Sequence, residues 1–500
     1  MDALEQDALQ VLALARSLKN SLAPINRVPV EILSLLPDYC DKDCANRVLI
    51  TLTHVCHGWR ETFISRSSLW TRLDFLDVRK IQTYIQRSNT SPLDFQPPYT
   101  RHTGDLVVAL FPVIQHIHRL KSLVFTAAIS PNILGQLRSH APLLEVLDIH
   151  NFLGTTPILD NTLFGGNLSS LRELSLSGSI THIPRHNWAN LRVFRLSRFE
   201  HEVTVTQFLD FLESAPLLDT VAFELPPDDQ PSAPPARIVP LPLLNTFILT
   251  AYQPPSILLK HLSIPIGASL EVRHLIDLEF PLQDYLPETS PNLTNLSQIT
   301  TVNLRFNDYQ KFVQLSGPTG SLRLLDEWRD WEPLHPIDNL VLRSLGSSIP
   351  SVTQKLTVSS YAHSKPVEME DCPIFQTLSS MNNLRTLVLS ECNIKRFILA
   401  LNPEKNPSRL VLCPRLQEFA LYTSPSCRQP YTRRLIKMAK NRASRGAKLS
   451  LITVVDLGGS TLMGEVFELR EYVTRVDYRV GSEAPKWDDI PGEGGVVVGG

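Results

Sequence analysis

The residues best spaced for chemistry lie near the start: Cys40 and Cys44 with three residues between them, then His54 and His57 with two. Paired soft ligands at close spacing are what a tetrahedral zinc ion requires. Here the histidines stand closer together, and the cysteines closer to the histidines, than in zinc modules, so no metal is expected. There is no phosphate-cradling glycine loop, no H-E-x-x-H and no G-x-S-x-G. The pairs Gly165-Gly166 and Gly458-Gly459 read as turns. Nothing in the order of Ser, His and Asp places a triad, so the reading assigns no catalytic residue, metal or cofactor and expects no enzyme.

Binding chemistry is better represented. From Arg428 to Lys448 there are eight basic residues and no acid. Leu435, Ile436 and Ala439 give the same stretch an apolar side, which reads first as a helix with a solvated outer face. The functional reading makes Arg433, Arg434 and Lys437 a patch for an acidic or phosphorylated segment, since guanidinium forks suit phosphate. Aromatic interleaving is limited to Tyr431, which disfavours single-stranded nucleic acid. Trp328 and Trp331 follow a strand candidate and read as core or half-core, with an exposed anchor as the alternative.

The elements that must position these residues come in two kinds. Leu4, Ala8, Val11, Ala15 and Leu18 recur three and four apart, predicting a helix over 2–19 whose stripe must pack on something. Pro29 then opens a short apolar helix ending near Pro37, and a second helix is expected from Ala45 to Thr62. From about residue 117 a unit L-x-x-L-x-L recurs, in which alternate apolar residues mark a strand with one buried face. Its centres are Leu123, Leu147, Leu174, Phe194, Val221, Phe247, Leu278, Val302, Leu325, Leu340, Leu387, Phe419 and Ile452, with a degenerate copy around Leu356. From Leu123 to Leu325 the spacing averages about 25 residues, within the range of leucine-rich repeats.

Composition agrees with an intracellular interaction protein. The 500 residues carry a net charge of −2, so no global field draws the chain to nucleic acid or an anionic membrane. Seven cysteines are odd in number and sparse, which fits reduced thiols. Asp2, Glu5 and Asp7 stand where a secretory signal would carry positive charge, and no apolar run is long enough to span a membrane.

Residues 24–70 resemble the F-box, in the form expanded in mushroom-forming fungi. The likeness rests on Ala23-Pro-Ile-Asn-Arg-Val-Pro-Val-Glu-Ile-Leu33, Val55-Cys-His-Gly-Trp-Arg60 and Ser68-Leu-Trp70. It extends through Cys413-Pro-Arg-Leu416 and Arg445-Gly-Ala-Lys-Leu449, while His57-Gly58 depart from the commonest pair before the Trp. The resemblance implies a substrate-recognition adaptor of a cullin-type ubiquitin ligase. The F-box would dock on a Skp-type adaptor through Val28, Pro29, Ile32, Leu33, Leu36, Val55, Trp59, Leu69 and Trp70, and the repeats would hold an unidentified protein substrate.

The expected organisation is an N-terminal helix (1–21), an F-box-like helical module (22–75), a connector (76–116), a repeat domain (117–480) and a disordered tail (481–500). The fold class is α/β, a leucine-rich-repeat-like solenoid with a parallel sheet behind a small all-α module. The alternative function is a repeat scaffold that docks on no ligase.

Overall fold

A computed structural model describes residues 2–40, 44–100, 103–126, 135–150, 163–178, 183, 188–197, 203–225, 237–274, 285, 292–306, 310–327, 352–360, 374–390, 394–405, 410–423, 431–456 and 468–480. The chain is α/β with a mostly parallel sheet, and it divides into two compact units, Met1–Leu218 and Asp219–Gly500.

The first unit begins with α1 (Asp2–Ser21), α2 (Val30–Leu33), α3 (Ala45–Thr53) and α4 (His57–Ser65). The single helix expected over Ala45–Thr62 is therefore two. Cys56 is fully extended and breaks it, so the chain turns between His54 and Cys56 and the two helices pack side by side. There follow β1 (Arg72–Leu73), α5 (Val78–Arg87), β2 (Leu93–Phe95), α6 (Thr103–Ile114), β3 (Leu120–Thr126), β4 (Val146–His150), β5 (Glu173–Ser177), β6 (Val193–Ser197) and α7 (Val205–Ser214). Asp77 caps α5, and a reciprocal box between Thr204 and Gln207 caps α7. The segment read as a connector thus supplies two helices and a strand.

Strands β1 to β6 pair in chain order, all parallel. Their register explains the repeat. Leu123, Leu147, Leu174 and Phe194 stand in one row and Phe125, Ile149, Leu176 and Leu196 in the next, all buried. The leading leucine of each unit closes a turn: the Leu144, Leu171 and Leu191 amides donate to the carbonyls of Ala141, Leu168 and Trp188. The next step is also shared, because two successive amides donate to one carbonyl of the preceding strand's entry, as Arg172 and Glu173 do to Glu145. The L-x-x-L-x-L pattern is therefore a turn residue followed by two inward strand residues.

The second unit contains β7 (Thr220–Leu225), β8 (Val239–Pro240), β9 (Thr246–Ala251), α8 (Ser256–Leu259), β10 (Leu262–Ser263), β11 (Ser269–His274), β12 (Thr301–Phe306), β13 (Gln310–Ser316) and β14 (Ser321–Glu327). Then come β15 (Lys355–Ser360), α9 (Ile374–Ser380), β16 (Thr386–Ser390), α10 (Ile394–Leu401), β17 (Glu418–Thr423), α11 (Thr432–Ala443), β18 (Leu451–Asp456) and β19 (Arg475–Val480). Its sheet runs β7-β9-β11-β14-β13-β12-β15-β16-β17-β18-β19, and β13 is antiparallel to both neighbours. The same entry device recurs at Gln354, Arg385 and Gln417. The two-residue strands β8 and β10 pair separately.

Three strand expectations change here. Leu325 is only half-buried, and Leu322 and Leu324 take the core rows, because β14 continues the register of Leu270 and Val272 in β11. Strand β11 lacks a leading leucine turn and has no counterpart among the expected centres, nor has β13. The degenerate copy around Leu356 is β15, with Leu356 in register between Val302 and Leu387. The glycines at the β13–β14 turn are required by close approach, since a Cβ on Gly320 would lie 2.6 Å from the Ile266 carbonyl oxygen. Leu278 and Leu340, the proline-rich 226–235 segment, Gly458-Gly459 and the 481–500 tail lie outside the described residues.

Candidate docking site

The N-terminal helices are built around two tryptophans. Trp59 on α4 is buried, donates through Nε1 to Asn26 Oδ1 at 2.5 Å, and meets Phe63 edge to face at 6.0 Å. Asn26 Nδ2 in turn donates to the Asn20 carbonyl at 2.6 Å, so one side chain ties the end of α1 to α4. Trp70 is fully buried, donates to the Phe63 carbonyl at 2.8 Å, and packs edge to face on Tyr84 at 4.8 Å with the Arg87 guanidinium over its ring at 4.3 Å. Burial, reinforced by the Asp74 charge, pushes the Tyr84 phenol well above its ordinary range.

These bonds join the helices to the start of the sheet. Asn46 on α3 donates to the Arg72 carbonyl at 2.9 Å and to Asp74 Oδ1 at 2.6 Å. Arg119, also buried, donates to the Ser88 hydroxyl at 2.7 Å and to the Ser91 carbonyl at 2.8 Å. Neither residue carries a motif. Their roles depend on contacts tens of residues away, and no local signal announces them.

Of the nine residues expected to dock a partner, Leu33, Trp59 and Trp70 are buried, Val28 and Leu69 are half-buried, and Pro29, Ile32, Leu36 and Val55 are exposed. Ile32 is 54% exposed and Val55 52%. Leu22, Ile25, Val30, Leu35 and Tyr39 are exposed beside them and were not anticipated. Fourteen of the 24 large apolar residues exposed among the described residues fall within the first 55 positions. Apolar side chains scattered singly over a surface are ordinary, whereas this concentration along one short stretch of chain is not.

The basic stretch divides differently from its reading as one patch. Arg433 and Lys437 are exposed and Arg434 is half-buried, but the Lys437 ammonium lies 3.6 Å from the Glu404 carboxylate, which offsets part of the positive charge. Lys440 stands 5.8 Å from the Tyr472 ring centroid. Arg442 is fully buried and donates to the carbonyls of Leu412 at 2.7 Å and Cys413 at 3.0 Å. It thereby holds α11 on the turn that leads into β17. Desolvation lowers its guanidinium to about 10 and raises the neighbouring Cys413 thiol to about 12. One signal was present: Leu435, Met438, Ala439 and Arg442 follow the spacing of a single helix face, so the arginine sits in line with the apolar stripe.

Cys40 donates to the Leu36 carbonyl at 3.4 Å, His54 lies 3.3 Å from Arg60, and His57 lies 3.5 Å from Glu61. Among the described residues no three His, Cys, Asp or Glu side chains converge as a metal site would require. No helix among them is long and apolar enough to cross a membrane. Trp328, Trp331 and Arg428 lie outside the described residues. No protein-family model matches the chain, and no curated protein matches it.

Proposed function

We propose that the chain is a substrate-recognition adaptor of a cullin-type ubiquitin ligase, with an F-box-like module at residues 22–75 and a leucine-rich-repeat-like solenoid beyond it. The observation that carries this reading is the concentration of exposed apolar residues in the first 55 positions, set on helices tied by Trp59, Asn26 and Asn46. A Skp-type adaptor would cover Pro29, Ile32, Leu36 and Val55, with Val30 and Leu35 beside them. In this role the chain binds and presents a protein substrate, and the ubiquitin-transfer chemistry belongs to other subunits.

The buried residues of the expected docking set have an internal task instead. Leu33, Trp59 and Trp70 hold the module's own core, and this favours a second reading, a repeat scaffold that docks on no ligase. Removing residues 1–75 would not separate the two readings, because it strips Trp70 and Phe75 from Tyr84. Single substitutions in the full chain do separate them. The wild-type chain is expected to form a stoichiometric complex with the Skp-type adaptor by size-exclusion chromatography. Ile32→Asp and Val55→Asp are expected to weaken it by about 2 kcal/mol or more each, as for hot spots at a desolvated centre. Absence of a wild-type complex leaves the scaffold reading.

A further inference from the structure

We propose that α1 is a homodimerisation helix that pairs antiparallel with α1 of a second copy of this chain. Every side chain from Leu4 to Asn20 is exposed, including Leu9, Val11, Leu12 and Leu14. Most helical stability in proteins comes from packing an apolar face, and the leucines and valine of α1 stand exposed, so a partner would account for its apolar content. Asn26 fastens its end, through Asn20.

The spacing names the partner. Leu4, Ala8, Val11, Ala15 and Leu18, with Leu22 in the turn directly after the helix, alternate steps of four and three, the seam of a two-stranded coiled coil. The antiparallel register that sets Leu4 against Leu22 of the second copy also sets Ala8 against Leu18 and Val11 against Ala15. Small residues then face larger ones in the Ala8–Leu18 and Val11–Ala15 layers, the complementarity a packed seam requires. In the same register Leu12 and Leu14, which flank the seam, each meet their own counterpart.

Charge chooses the direction. The acids Asp2, Glu5 and Asp7 occupy the first two turns, the bases Arg16 and Lys19 the last two, and residues 8–15 are uncharged. Antiparallel pairing brings Glu5 beside Lys19 of the second copy, twice per dimer. Parallel pairing would place the acidic turns side by side, where like charges repel. A partner of other sequence would have to reproduce both the size alternation and the charge reversal, whereas a second copy supplies them by symmetry. The pairing does not depend on the adaptor reading, since α1 precedes the expected docking segment.

Sedimentation equilibrium of the full chain at about 1–100 µM is the test, in the range where weak dimers dissociate. The expected result is twice the chain mass of 56.2 kDa. Val11→Asp should return the single-chain mass while the chain keeps a cooperative thermal transition, because Val11 is exposed in the isolated chain. Glu5→Lys should raise the dimer dissociation constant roughly tenfold, and adding Lys19→Glu in the same chain should restore it. A wild-type monomer throughout this range, a Val11→Asp dimer, or a double variant no tighter than the single one overturns the proposal.

Discussion

The first 55 residues and the α11–β17 corner treat awkward side chains in opposite ways. The N-terminal segment leaves apolar residues in water: Ile32 on α2, Leu35 and Leu36 just past it, and Val55 in the turn between α3 and α4 all stand exposed. The corner takes a full positive charge out of water and satisfies it with two backbone carbonyls of its own chain. An isolated buried charge is costly unless it is hydrogen-bonded; Arg442 Nη1 and Nη2 meet that need within the chain, while Nε is buried without a partner. The N-terminal segment instead keeps its apolar side chains exposed, which is the observation behind the proposed adaptor contact. Substitutions should therefore act on stability at the corner and on association at the N-terminal surface.

The sharpest break is Arg442→Ala, which leaves the Leu412 and Cys413 carbonyls unanswered and a cavity beside α11. A loss of about 2–4 kcal/mol is expected from the two buried carbonyls left without donors and the cavity, and is read from urea unfolding. A stability within about 1 kcal/mol of wild type would show that the turn finds other donors. By contrast, Ile32→Asp should shift folding stability by no more than about 0.5 kcal/mol while weakening the proposed adaptor complex. A large loss of stability there would mean that α2 belongs to the core.

The corner should also show itself through pH. Cys413 is raised to about 12 by burial, so between pH 9 and 12 the folded chain holds a proton that the unfolded chain releases, and stability falls. Arg442 is lowered to about 10, so above that pH the unfolded chain holds the extra proton and stability rises again. The two trends oppose each other from pH 10 upward, leaving net loss between pH 9 and 10 of about 1 kcal/mol at most. Urea midpoints across that range should decline in wild type and decline less in Cys413→Ala, where the raised Tyr84 phenol still contributes. The smallest effect is expected at Lys437→Ala. Its pair with Glu404 is half-exposed on both sides, so a change within about 0.5 kcal/mol is anticipated, with any effect on an acidic ligand appearing in the salt dependence of binding.

Much of the sheet was legible because its signal is local. Leu171-x-x-Leu174-x-Leu176 contains its own turn residue and both inward strand residues, and Leu384-x-x-Leu387-x-Leu389 does the same. Strand β11 was illegible because it has only the inward pair Leu270 and Val272, without the leucine that closes the preceding turn. The single helix expected across Ala45–Thr62 failed at Cys56, whose extended backbone no apolar spacing reports. Among the docking candidates, residue type alone did not separate Trp59, turned inward to Asn26, from Ile32, turned outward.

By itself the sequence determined the alternation of inward strand residues, the stripe of α1 with acids at one end and bases at the other, and the want of any spaced catalytic motif. These are relations between residues a few positions apart, and a strand or helix turns them directly into faces. The tertiary structure alone decided that β14 lies beside β11 with β13 reversed between β14 and β12, that Arg442 is inside, and that Ile32 and Val55 are outside while Trp59 is not. Each of these depends on partners far along the chain, because burial is a property of what arrives to cover a residue, and composition over a few positions does not specify that arrival.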